Sequence, residues 1–139
     1  MFRLTEAGYK KQHAYLNLLI DRRLTAAFQF GLILNAFFFL FYGLQSQNSQ
    51  LMKDEFKRFG LTDSQRKLTG NLQIAGSAGL LAGLIFPAIG FLAAAGFTAM
   101  MLVALFVRIK IKDSIVQSLP SVIFMLINAW LSVVFYNLL

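Results

Sequence analysis

The chain of 139 residues has room for one domain, with 58% hydrophobic residues, 14% charged residues and no cysteine. Ordinary soluble domains are about half apolar and a quarter charged, so this is the composition of a membrane protein, and disulfides, thiol redox chemistry and cysteine-ligated metals are excluded. The net charge of +7 sits in patches that flank the apolar runs, where anionic headgroups would retain it, and no basic stripe with interleaved aromatics points to a nucleic-acid partner.

Residues 1–21 have charge at the front but no sustained apolar core followed by a small-residue cleavage site, so the N-terminus is expected to stay on the protein. Within the N-terminal segment, residues 1–23, Tyr9, His13, Leu16 and Ile20 recur at helical spacing, with Lys10, Asn17 and Asp21 on the opposite side. That pattern predicts an amphipathic helix lying in the membrane interface. His13 has no second histidine or spaced carboxylates around it, so no metal site is expected.

The first span runs over residues 24–44 without a charge, at the length of about 20 residues that a spanning helix needs. The loop after it holds a short amphipathic segment. Met52, Phe56 and Phe59 share one side of this segment, Lys53, Asp54, Lys57 and Arg58 face water, and Gly60 ends it. Thr62 followed by Gln65 reads as a capping box that opens the next helix. The uncharged stretch from Leu68 to Val107 is about twice too long for one crossing, so it must fold back. Pro87, with Gly90 after it, marks the place and divides the stretch into spans at 68–86 and 88–107. A fourth span covers 119–139, with Ser118 as cap and Pro120 in its first turn. Asp113 is expected to be a solvated loop charge, with a local salt bridge to Lys110 or Arg108 as the alternative. The fold class is therefore all-α: an integral membrane four-helix bundle with short interfacial amphipathic helices, forming one membrane domain over 1–139. Basic residues are more numerous in the first and third loops than in the N-terminal patch, which places those loops in the cytoplasm.

Lipid is as apolar as leucine, so helices in a membrane are held together by close packing of small residues. Gly76, Gly79 and Gly83 lie on one side of the second span, and Gly90, Ala94 and Gly96 supply the matching surface on the third. The polar residues form a second pattern. Arg66, Gln73 and Ser77 follow a stripe down about half of the second span. Counted from the same water-facing end, Asn35, Thr98 and Asn128 fall about 14 Å deep on three different helices, with Arg108 at the rim. Two readings stand: amides and hydroxyls bonding across helices as structural glue, or a polar-lined pocket open toward the first and third loops that takes a lipid-like headgroup. The uncharged lining argues against a proton or ion path. No nucleophile–base pair or phosphate loop occurs, so no catalytic residue and no cofactor is expected.

The stretch KLTGNLQIAGSAGLLAGLIFPAIGFLAAAG, followed by ALFVRIKIKDS, resembles the DoxX-like family of small four-helix membrane proteins. The likeness extends from about Leu24 to Asn137 and consists of a K-L-x-G entry, a glycine-rich second span, a proline hairpin and a charged exit from the third span. The resemblance implies roles that differ among members: subunits of quinone-linked oxidoreductases, accessory membrane proteins, or assembly chaperones of membrane receptors. Many relatives carry an acid where this chain has Gln73 and a lysine about where it has Ser46. The pair is neutral here, which removes any redox or proton-coupled role that the acid would carry. The expected function is a small binding or accessory protein of the bacterial inner membrane, with a lipid or quinone ligand, a membrane-protein partner or a homo-oligomer. The alternatives are a membrane subunit of a quinone-linked oxidoreductase and an oligomeric small-solute transporter.

Overall fold

The computed structural model describes residues 5–139, with the side chains of residues 19–24 outside the description. The described chain is all-α: α1 Glu6–Asn48, α2 Gln50–Arg58, α3 Asp63–Ala82, α4 Pro87–Lys110 and α5 Ile115–Asn137. Among the described residues three stretches are long and apolar enough to cross a membrane: Thr25–Asn48 within α1, all of α4 and all of α5. α3 is not among them, because Gln65, Arg66, Lys67, Asn71 and Gln73 lower its average apolarity.

The chain divides into two compact units, Met1–Phe30 and Gly31–Leu139. In the first, Lys10 pairs with Glu6 at 3.5 Å and the rings of Tyr9 and His13 lie 4.3 Å apart. Tyr9, Tyr15, Leu16 and Leu18 are exposed, while Ile20 and Asp21 of the expected amphipathic pattern lie outside the described side chains. The expected boundary near residue 23 is not a break in the backbone, since no proline interrupts 6–48 and α1 runs through it.

In the second unit the core is aromatic. Phe39 of α1 stacks on Phe97 of α4 with centroids 3.9 Å apart, and Phe38 stacks on Phe124 of α5 at 3.8 Å. Leu32, Leu80, Leu131 and Phe135 are fully buried around them. The FFF run thus serves both environments, with Phe37 facing outward and Phe39 inward. The α3–α4 hairpin closes on glycines: a methyl group at Gly83 would come 2.5 Å from Gly90 Cα and 2.7 Å from the Phe135 ring. The turn precedes the proline. α3 ends at Ala82 and Pro87 opens α4, at the first helical position, where its missing N–H costs nothing.

The expected cap of the last helix is corrected. Ser114, not Ser118, caps α5, in a capping box with Gln117. The N–H of Ser118 is an ordinary helical donor to Ser114 O. The helix therefore starts earlier than expected, and Pro120 falls in its second turn, on the exposed side.

Candidate functional site

The loop-side end of the second unit is built by two helix-end devices. Thr62 Oγ1 accepts from Gln65 N at 3.2 Å and Gln65 Oε1 accepts from Thr62 N at 2.9 Å, which fixes the start of α3. Gly60, at φ +78°, reverses the chain after α2. Leu61 N bonds Phe56 O and Gly60 N bonds Lys57 O, the paired bonds of a glycine-terminated helix.

With α3 started at Asp63, Arg66 falls one turn in and points at the end of α1. It is 2% exposed and donates Nη1 to the carbonyls of Ser46 and Gln47. Those carbonyls carry the partial negative charge of the C-terminus of α1, so a buried guanidinium is at home there. Asp63 lies 3.6 Å from Nη2, and Nε has no hydrogen-bond partner among the described residues. Gln47 in turn donates Nε2 to Lys67 O and Asn71 Oδ1, both at 3.1 Å.

Outside this joint lies an open cleft of about 660 Å³, lined by Gln47, Asn48, Gln50, Lys53, Lys57, Asp63, Arg66 and Lys67. Four cations face one carboxylate. Among the described residues no ion pair engages Lys53, Lys57 or Lys67. Of the expected site residues only Arg66 lines this cleft; Lys53 and Lys57, which the sequence places on the water-facing side of the loop segment, join it.

The deeper polar residues do not converge on one pocket. Asn35 and Asn128, both fully buried, exchange amide hydrogen bonds of 2.6 and 3.1 Å, and Asn128 Nδ2 also donates to Phe124 O at 2.8 Å. Ser77 and Thr98 turn back on their own helices, donating to Gln73 O and Ala94 O, the usual way a hydroxyl is satisfied in a helix. Gln73 is buried beside Gly43, and its Oε1 has no partner among the described residues. Among the small residues, the ring of Phe97 lies directly on Gly76, a methyl group on Gly79 would lie 3.1 Å from Ala93 Cβ and Ala94 is fully buried. A methyl group on Gly96 would meet nothing within 4 Å, so Gly96 does not pack against a neighbour.

Arg108 belongs to a different cluster. Asp113 is not a solvated loop charge: the alternative, a local salt bridge to Arg108, is the one that forms, and Arg58, exposed as expected, adds a second bond. The Asp113 side chain is 4% exposed and accepts from Arg58 Nη1 at 2.5 Å and Arg108 Nη1 at 2.8 Å. Arg58 also pairs with Glu55 at 2.8 Å, and both guanidinium groups lie about 5 Å from the Phe59 ring, within cation–π range. The Arg58 hydrogen bond, helped by that of Arg108, outweighs desolvation and holds the Asp113 carboxyl below the usual carboxylate range. Glu55 and Asp113 in turn raise the Arg58 guanidinium. This cluster joins the first loop to the third.

Among the described residues no three His, Asp or Glu side chains gather as metal ligands. Neither a curated protein nor a solved structure matches the chain. A family model described as the DoxX-like family matches residues 31–132, which covers the whole helical hairpin, both asparagines of the buried pair and the basic cleft. On that match, which takes in most of its length, the chain is a membrane protein belonging to the DoxX-like family.

Proposed function

We propose that the protein is a four-span bundle of the bacterial inner membrane, acting as a binding or accessory protein for an anionic, lipid-like amphiphile whose headgroup enters from the loop side. α3 is the fourth crossing. Of its polar residues Arg66, Gln73 and Ser77 are buried, and Lys67 and Asn71 are exposed near the loop end, whereas Leu68, Leu72 and Leu81 are exposed along the helix, so the face that would meet acyl chains is mostly apolar although the helix average is not. The buried Asn35–Asn128 pair serves as glue between helices rather than as pocket lining.

The observation that carries this reading is the cleft at the rim. Among the described residues Lys53, Lys57 and Lys67 of this cleft have no ion-pair partner, and in a four-span bundle this end would face the headgroups, where each basic residue adds about 1 kcal/mol of attraction. Native mass spectrometry of gently extracted protein tests it. The expected result is a retained anionic amphiphile that is lost when Lys53, Lys57 and Lys67 are replaced together by glutamine. A stable partner that carries a redox cofactor, with quinone bound, would transfer the assignment to an oxidoreductase subunit. A symmetric oligomer without ligand would favour transport.

A further inference from the structure

A second cavity lies deeper along the same two helices. It is an apolar groove of about 370 Å³ lined by Ile33, Ala36, Phe37, Leu40, Ile74, Ser77, Ala78 and Leu81. On α1, Ile33, Phe37, Leu40 and Gln47 follow intervals of three, four or seven residues, and on α3 so do Lys67, Ile74, Ala78 and Leu81. Cleft and groove therefore open on one face of the α1/α3 pair.

Between them the helices touch. A methyl group on Gly43 would lie 2.9 Å from Gly70 O and 2.9 Å from Ile74 Cγ1, and one on Gly70 would lie 2.9 Å from Gly43 O. Helices whose backbones meet at one point diverge on either side of it. Here the apolar groove lies below the contact, while above it Arg66 and Gln47 join α1 to α3 and the basic cleft lies outside that joint. From Lys67 to Leu81 the helix axis covers roughly 21 Å at 1.5 Å per residue, more than the roughly 15 Å depth of a single leaflet.

We propose that this face holds one anionic phospholipid drawn from the surrounding bilayer, with its phosphate among Lys53, Lys57 and Lys67 and one acyl chain crossing the Gly43–Gly70 contact into the groove. The proposal rests on the headgroup cleft described above and adds the chain path. The two ends contribute differently. A chain leaving lipid for an apolar groove gains no hydrophobic free energy, only the dispersion contacts of a surface that fits it. Selection is therefore set by the phosphate, and the groove sets chain length and order. Gly43 and Gly70 are buried and a side chain at either would point into the opposite helix, so they hold the seam closed and the chain passes over its outer side.

The test uses purified protein in neutral detergent, titrated with dioleoyl phosphatidylglycerol, dioleoyl phosphatidylcholine and short-chain dihexanoyl phosphatidylglycerol, and read as the shift in thermal unfolding midpoint. The long-chain anionic lipid is expected to stabilise most, and the zwitterionic lipid with the same chains least. Lys67→Gln should weaken both phosphatidylglycerols, by about fivefold for one lysine at the surface. Ala78→Phe fills the groove at an exposed position. It should lower the affinity for the long-chain lipid several-fold and leave the short-chain one unchanged. If Ala78→Phe leaves long-chain binding intact while Lys67→Gln weakens it, the chain path is wrong and the headgroup cleft survives. If neither substitution changes binding of any lipid, the cleft reading falls as well.

Discussion

Asn35 and Asn128 sit 93 positions apart in sequence and bond through both amides, with no water-exposed surface on either. Such a pair is asymmetric in what its loss costs. Asn128→Leu strands the Asn35 amide in an apolar core, where an unsatisfied polar group costs about 1–3 kcal/mol. Membrane measurements lie toward the lower end, because the unfolded chain in lipid also finds partners. The double variant Asn35→Leu/Asn128→Leu strands nothing. Denaturant unfolding in mixed micelles should therefore place the single variant lowest and the double close to wild type. If the double is as unstable as the single or worse, the pair holds the bundle in a way that apolar packing cannot replace.

At the scale of the element, the helices pack through glycines that are not equivalent. Gly76 lies under the Phe97 ring, which cannot withdraw because its other face stacks on Phe39. Gly96 faces open space. Gly76→Ala should cost about 1–3 kcal/mol, as overpacking does, whereas Gly96→Ala should be neutral or gain up to about 1 kcal/mol of helix propensity. Thermal melts of the two variants side by side check the contrast, and equal effects would mean that α3 and α4 do not meet as described. The sequence could reveal a small-residue face on α3 but not which glycine carries a ring, since that depends on the rotation of α4 and on Phe97, a residue that reads as generic bulk. The capping box at Thr62, the glycine stop at Gly60 and the fold-back before Pro87 were legible because each is local chemistry within a few residues. The cap of α5 was missed for a related reason. Pro120 drew the start of the helix to itself, although the Ser114–Gln117 signature stood one turn earlier. The cleft was only partly legible, because Arg66 turns toward α1 through a contact twenty positions away and Lys53 and Lys57 come from a different helix.

Across the whole molecule, the tie between the first and third loops is the Arg58–Asp113–Arg108 cluster, which spans 55 positions at its longest bond. Two guanidinium groups share one ring and one nearly buried carboxylate, and with Glu55 the four charges sum to zero. Asp113→Asn leaves a net positive charge at the same place, with both arginines held on Phe59 and one strong acceptor gone. Asp113 titrates below its ordinary value in the folded protein, so its contribution is fully present above the unfolded value of about 3.9 and is lost as pH falls through the lower folded value. Wild type should thus be more stable than Asp113→Asn at neutral pH, with the difference closing only below about pH 4. The region that loosens should be α2, which among the described side chains is tied to the third loop through Arg58 and contributes no buried residue of its own. Hydrogen exchange on residues 50–58 at neutral pH checks the location: the variant should exchange faster there and unchanged at Asn35 and Asn128. If α2 exchanges alike in both proteins, Asp113 does not anchor it. α2 also supplies Lys53 and Lys57 to the cleft, so loosening it should weaken anionic lipid binding even though Asp113 does not line that cleft. Loss of headgroup affinity in Asp113→Asn would therefore show that the loop tie shapes the binding surface, and unchanged affinity would show that the cleft stands without it.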